Sequence, residues 1–62
     1  MWLQNLNKRQ TIDTLSNEGM SLNQARELVE ESDSNGYASD TACGKEYKVF
    51  PAHPGLYDIK SK

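Results

Sequence analysis

Sixty-two residues with a net charge of −2, one cysteine and one histidine leave room for one small domain, near the size below which folding needs a staple. Cys43 alone excludes an internal disulfide, and Cys43 with His53 cannot supply the four ligands of a structural zinc. The seven basic residues are scattered rather than gathered, which argues against a sequence-independent grip on nucleic acid. A modest apolar core must hold such a chain, or a partner must help, so a homo-oligomer is an open expectation. Trp2, Leu3 and Leu6 are too few for a signal peptide, and no apolar run is long enough to span a bilayer. Together with a single unpaired cysteine, this predicts a cytoplasmic protein that does not engage membranes.

Residues 1–7 admit two readings. Leu3 and Leu6 are three apart and could extend a helix backwards, or Asn7 caps a helix that begins at Lys8, with Gln10 as its third-position partner. Trp2 is then the largest apolar group to place, either on the helical corner or against a partner.

The run from Lys8 to Glu31 predicts two short helices joined by a tight corner. Ile12 and Leu15 share a face of the first. Gly19 supplies the left-handed residue just past its end. Ser21 caps the second helix, with Gln24 to complete a capping box and Met20 placed to staple onto Ala25. Leu22, Ala25, Leu28 and Val29 follow at helical spacing. Near the end of that helix Glu27, Glu30, Glu31 and Asp33 form an acidic cluster, either a solvated face or the rim of a surface that meets a basic partner.

Two resemblances attach to these residues. Ile12, Leu15, Gly19-Met20-Ser21, Gln24-Ala25, Leu28-Val29 and Glu31 resemble the core of the small, uncharacterised YoaH-like bacterial proteins. That likeness covers about a third of the chain and implies a helical fold, with no activity to carry over. Thr14-Leu-Ser-Asn-Glu18-Gly19 is similar to the (Ser/Thr)-x-x-x-Glu-(Gly/Asn) motif of antitoxins that silence Fic-type AMP-transferases. It implies that Glu18 would hold an arginine of the toxin while Thr14 faces the nucleotide site, Gly19 closing the motif. A carboxylate opposite an arginine makes a bidentate, charge-assisted pair.

A corner of this kind also occurs in helix-turn-helix readers of DNA. Asn23, Gln24, Glu27 and Glu30 would then face the groove, where Asn and Gln can read adenine but the glutamates repel phosphate. Residues 32–44 read as a turn-rich connector around Gly36, with Tyr37 its one sizeable apolar group and expected in the core. Asp33-Ser34-Asn35-Gly36 lacks the downstream glutamate of a calcium loop and reads as an ordinary turn.

Residues 45–62 change character. Glu46 to Phe50 and Leu56 to Ile59 alternate around a five-residue turn cluster, Pro51 to Gly55, which predicts a β-hairpin or else an extended tail. In a hairpin Tyr47 and Val49 share a face, Tyr57 and Ile59 face the same way from the other strand, and Phe50 points oppositely. Residues 60–62 read as a frayed basic end.

No catalytic constellation emerges, since Cys43 and His53 would need an orienting shell and Asp40 and Asp58 are their only nearby candidates. No cofactor motif is present. The fold expected from sequence is α+β, an antiparallel helical hairpin (1–31), a connector (32–44) and a short C-terminal β-hairpin (45–62). The function expected is a non-enzymatic regulator that binds an unidentified protein, with Trp2 and Phe50 as anchors and Glu27, Glu30 and Glu31 as a charged rim. The alternatives are a helix-turn-helix regulator and a Fic-type antitoxin.

Overall fold

In the computed structural model, which describes residues 2–61, a strand precedes the helices and three more follow them. The order is β1 (Trp2–Asn7), α1 (Lys8–Asn17), α2 (Leu22–Asn35), β2 (Ala38–Ala42), β3 (Lys45–His53) and β4 (Leu56–Ser61). The strands form one antiparallel sheet in the order β1-β4-β3-β2, so the first and last strands of the chain are neighbours. Both helices lie on one face of it. The expectation of a helical hairpin followed by a short β-hairpin is therefore overturned: Trp2–Asn7 and Ala38–Ala42 are strands, and the hairpin is the centre of a four-stranded sheet.

β1 is a strand because a bulge reconciles its spacing with a sheet. Leu3 pairs with Ile59 and Leu6 with Tyr57, so one extra residue is accommodated between them on β1. Asn5 carries it with φ 59°, and its N–H donates to Asp58 Oδ1 at 3.1 Å. Two leucines three apart, a helical spacing in a regular chain, thus both reach the covered face of the sheet.

α1 begins at Asn7, whose side chain accepts from Gln10 N while the Gln10 side chain accepts from Asn7 N, a complete capping box. It ends in a Schellman arrangement: Met20 N donates to Leu15 O and Gly19 N to Ser16 O. Gly19 has φ 119° there, and a Cβ on it would come within 2.5 Å of Cys43 Sγ. Only glycine fits both demands. Ser21 caps α2 by accepting from Gln24 N, but the Gln24 side chain does not close the box. Its Nε2 donates instead to Asp40 Oδ2 and Thr41 O on β2. α2 runs on to Asn35 and stops at left-handed Gly36, so the first residues of the expected connector are helix.

β2 and β3 are joined by the two residues Cys43 and Gly44, both at positive φ, as the tightest hairpins require. Residues 51–53 of the expected five-residue turn belong to β3, leaving Pro54 and Gly55 as the turn. Pro51 is tolerated inside a central strand because β2 ends opposite Val49, so no neighbour there asks for its N–H. Lys60 and Ser61 are in β4 rather than in a frayed end, and Met1 and Lys62 lie outside the described residues.

The core joins Leu15, Met20, Ala25, Leu28 and Val29 of the helical layer to Ala38, Ala42, Tyr47, Val49, Tyr57 and Ile59 of the sheet. Leu6 and Ile12 pack at its edge. Buried Thr11 and Ser32 are satisfied by donating to Asn7 O and Val29 O. Among the described residues no buried side-chain polar atom lacks a partner. No described helix is long and apolar enough to cross a membrane.

Gly19→Val should lower stability by about 1–3 kcal/mol, since it combines a strained φ with a collision against Cys43. Thermal melts check this, and an unchanged melting temperature would contradict the close packing of the corner on the β2–β3 turn.

Candidate functional site

The helices cover only one side of the sheet, and strand alternation sends every second side chain to the other. On β3 and β4 that second set is Glu46, Lys48, Phe50, Asp58 and Lys60, interleaved with the buried Tyr47, Val49, Tyr57 and Ile59. Cross-strand register arranges them in rows. Lys48 lies opposite Lys60, and Lys60 opposite Trp2 on β1. Phe50 lies opposite Asp58. Tyr37, just before β2, stacks on Phe50 with ring centroids 6.4 Å apart and planes at 27°.

Trp2 is 61% exposed and Tyr37 54% exposed, while Phe50 is half-buried. Trp2 therefore does not pack on the helical corner, and Tyr37 is not core. Lys60 Nζ stands 5.6 Å from the centre of the Trp2 ring, a cation–π contact. A groove of about 120 Å³ opens between Glu46, Lys48, Phe50, Lys60 and Ser61.

Trp2 and Phe50 thus share the uncovered face, but they are not adjacent. β4 lies between their strands, and the neighbour of Phe50 is Tyr37. Tyr37 was missed as a surface aromatic because its partner became visible only with the pairing of β2 on β3. The acidic residues lie elsewhere. α2 buries Ala25, Leu28, Val29 and Ser32, which directs Glu27 and Glu30 to its solvent side, across the body from the open face. Glu31 is on the flank, beside Asn35, Tyr37 and Ser39 at the β2 edge. The expected charged rim is therefore divided, with only Glu31 near an aromatic of the open face.

The edges of the sheet are guarded. In a two-residue hairpin the backbone groups of Ala42 and Asp40 face β3, leaving those of Ser39 and Thr41 on the free edge. Asp40 Oδ1 accepts from Thr41 N at 2.8 Å, and Gln24 donates to Thr41 O at 3.2 Å. Side chains thus occupy the outward groups of Thr41, which a further strand would use. On the other edge the bulge at Asn5 interrupts β1.

The residues of the antitoxin-like motif have structural partners. Glu18 is half-buried and accepts from Tyr47 Oη at 3.3 Å, Thr14 is half-buried, and Gly19 sits against Cys43. Gln24, a candidate base reader, is engaged by β2. Cys43 and His53 are both exposed, in or beside the turns at opposite ends of β3. That strand separates them by roughly 30 Å, so they cannot act as a pair. Among the described residues no group of three His, Cys, Asp or Glu could hold a metal ion. Comparison with known protein families, curated proteins and solved structures yields no match to this chain.

Beneath the open face two tyrosines tie sheet to helices. Tyr57 Oη donates to Asp33 Oδ2 and Oδ1 at 2.8 and 2.9 Å, and Tyr47 Oη to Glu18. Burial raises the pKa of both phenols, and the adjacent carboxylates raise it further. Their hydrogen-bonded form contributes stability that is fully present below the ordinary tyrosine pKa of about 10. Above that pH the unfolded chain releases these protons first, so stability falls until the raised folded values are passed. Thermal melts between pH 8 and 12 should show this alkaline loss. Tyr57→Phe should make it shallower and cost about 1 kcal/mol at neutral pH, Asp33 being exposed. An alkaline profile identical to wild type would mean that the Tyr57–Asp33 contact does not form.

Proposed function

We propose that the protein is a small, non-enzymatic regulatory module of the cytoplasm that acts by binding protein through the open face of its sheet. The observation that carries this is the aromatic set on that face: Trp2, Tyr37 and Phe50 stay accessible although the chain has a covered face on which to bury them. Exposed aromatic rings grouped with charged residues are what protein-contact surfaces favour. Guarded edges direct association to the face rather than to strand addition. Glu46 and Asp58 beside Lys48 and Lys60 leave the face without the excess positive charge that a nucleic-acid platform uses.

Phe50→Ala and Trp2→Ala should each keep the wild-type circular dichroism and melting behaviour within about 1 kcal/mol. Each should also weaken association, with another protein or with a second copy, as measured by sedimentation and by capture on immobilised protein. Unfolding in either variant would return that residue to the core and remove it from the surface. Salt-sensitive gel shifts with duplex DNA or single-stranded RNA would favour the nucleic-acid alternative instead.

A further inference from the structure

The charges on the open face follow a pattern. Glu46 and Lys48 are two apart on β3, and Asp58 and Lys60 are two apart on β4. Because Lys48 lies opposite Lys60, a central row of positive charge is flanked by one carboxylate on either side. Like charges directly opposite one another destabilise an isolated sheet. Among the described residues neither lysine forms an ion pair. The carboxylates that would neutralise them sit one row away along the strand, about 7 Å off.

We propose that a second copy of this chain covers the open face, forming a two-fold dimer packed sheet against sheet. The inference rests on the reading of that face as a protein-contact surface and names its occupant. A two-fold axis that lies in the interface and runs across the strands exchanges residues two apart on one strand. Placed midway between Lys60 and Asp58, it sets Lys60 against Asp58 of the second copy, and Asp58 against that copy's Lys60. The same axis sets Lys48 over Phe50 of the second copy, a cation on an aromatic face. Shifted one row the other way, it sets Lys48 against Glu46 of the second copy.

Two lysines and two carboxylates make the face neutral, and either axis sets one lysine of each copy against a carboxylate of the other, whereas a strongly acidic or basic partner would leave one sign unmatched. The Cα framework measures 29 × 22 × 19 Å, which limits any one side to roughly 600 Å² per copy; twice that, about 1,200 Å², is the lower end of specific interfaces, so the dimer expected is a weak one.

Trp2, the single tryptophan, reports on this face directly. Sedimentation equilibrium and tryptophan emission are followed from about 1 to 500 µM, a range suited to an interface of this size. The expected result is a mass rising from 7.0 kDa towards twice that value, with emission moving to shorter wavelength in parallel. Lys48→Glu with Lys60→Glu makes the face wholly acidic and should hold the protein at 7.0 kDa throughout, with unchanged circular dichroism. Should that variant fail to fold, Lys48→Thr with Lys60→Thr removes the cations without adding repulsion and should raise the dimer Kd about tenfold or more. A wild-type chain that stays monomeric at the highest concentration, or a dimer Kd unchanged by loss of both lysines, overturns the proposal. If the chain is monomeric while Phe50→Ala and Trp2→Ala still abolish binding to another protein, the occupant is wrong and the contact face stands. If those variants alter no association, both fall.

Discussion

Burial of Tyr47, Val49, Tyr57 and Ile59 beneath the two helices is the contact on which the rest of the structure depends. A chain of 62 residues has enough apolar side chains to fill one layer, and that layer must be shared by every element. The two tyrosines make the sharing work. Each lays an aromatic ring into the core and ends in a hydroxyl that reaches a carboxylate at the far end of a helix, Glu18 after α1 and Asp33 in the last turn of α2. Phenylalanine would fill the same volume but leave the ends of the helices without these ties. With both helices on that side, no described element is left to cover the other face of the sheet.

Elements specified by local chemistry were legible, and elements specified by distant pairing were not. The capping box at Asn7 and Gln10, the Gly19 corner and the Ser21 cap act through residues three to five apart, and the structure has them. β1 was hidden because its bulge gives Leu3 and Leu6 a helical spacing, and the residue opposite that bulge, Asp58, is fifty-three positions away from Asn5. β2 was hidden because its inward residues are small. Ala38 and Ala42 leave room for α2 and the corner to approach closely, so the strand has no run of large apolar groups to announce it. Its backbone is held by the Cys43–Gly44 turn and by Gln24, whose position three residues after Ser21 suits it to capping its own helix.

The surface was legible to the same extent and for the same reason. Alternation along β3 is local, so the outward direction of Phe50 could be read directly from the positions of Tyr47 and Val49. Its stacking on Tyr37 requires β2 to lie beside β3, which no local pattern announces. The acidic residues of α2 fall within one short stretch of sequence, yet the helical turn of 100° per residue sends Glu27 and Glu30 outward and Glu31 to the flank. A cluster in the sequence is thus two surfaces in space.

The arrangement of guards and openings has a common logic. Free strand edges associate without selectivity, because any extended backbone satisfies them. Here Asp40 and Gln24 occupy the Thr41 edge, and Asn5 interrupts the other. An exposed face is different, because its side chains define which surface can match it. Trp2, Lys60, Lys48 and Ser39 in one row, and Asp58, Phe50 and Tyr37 in the next, alternate ring, cation and carboxylate over short distances. Only a surface with the reciprocal alternation satisfies all of them at once. Closing the edges while leaving such a face open converts the general stickiness of a small sheet into association with a defined partner.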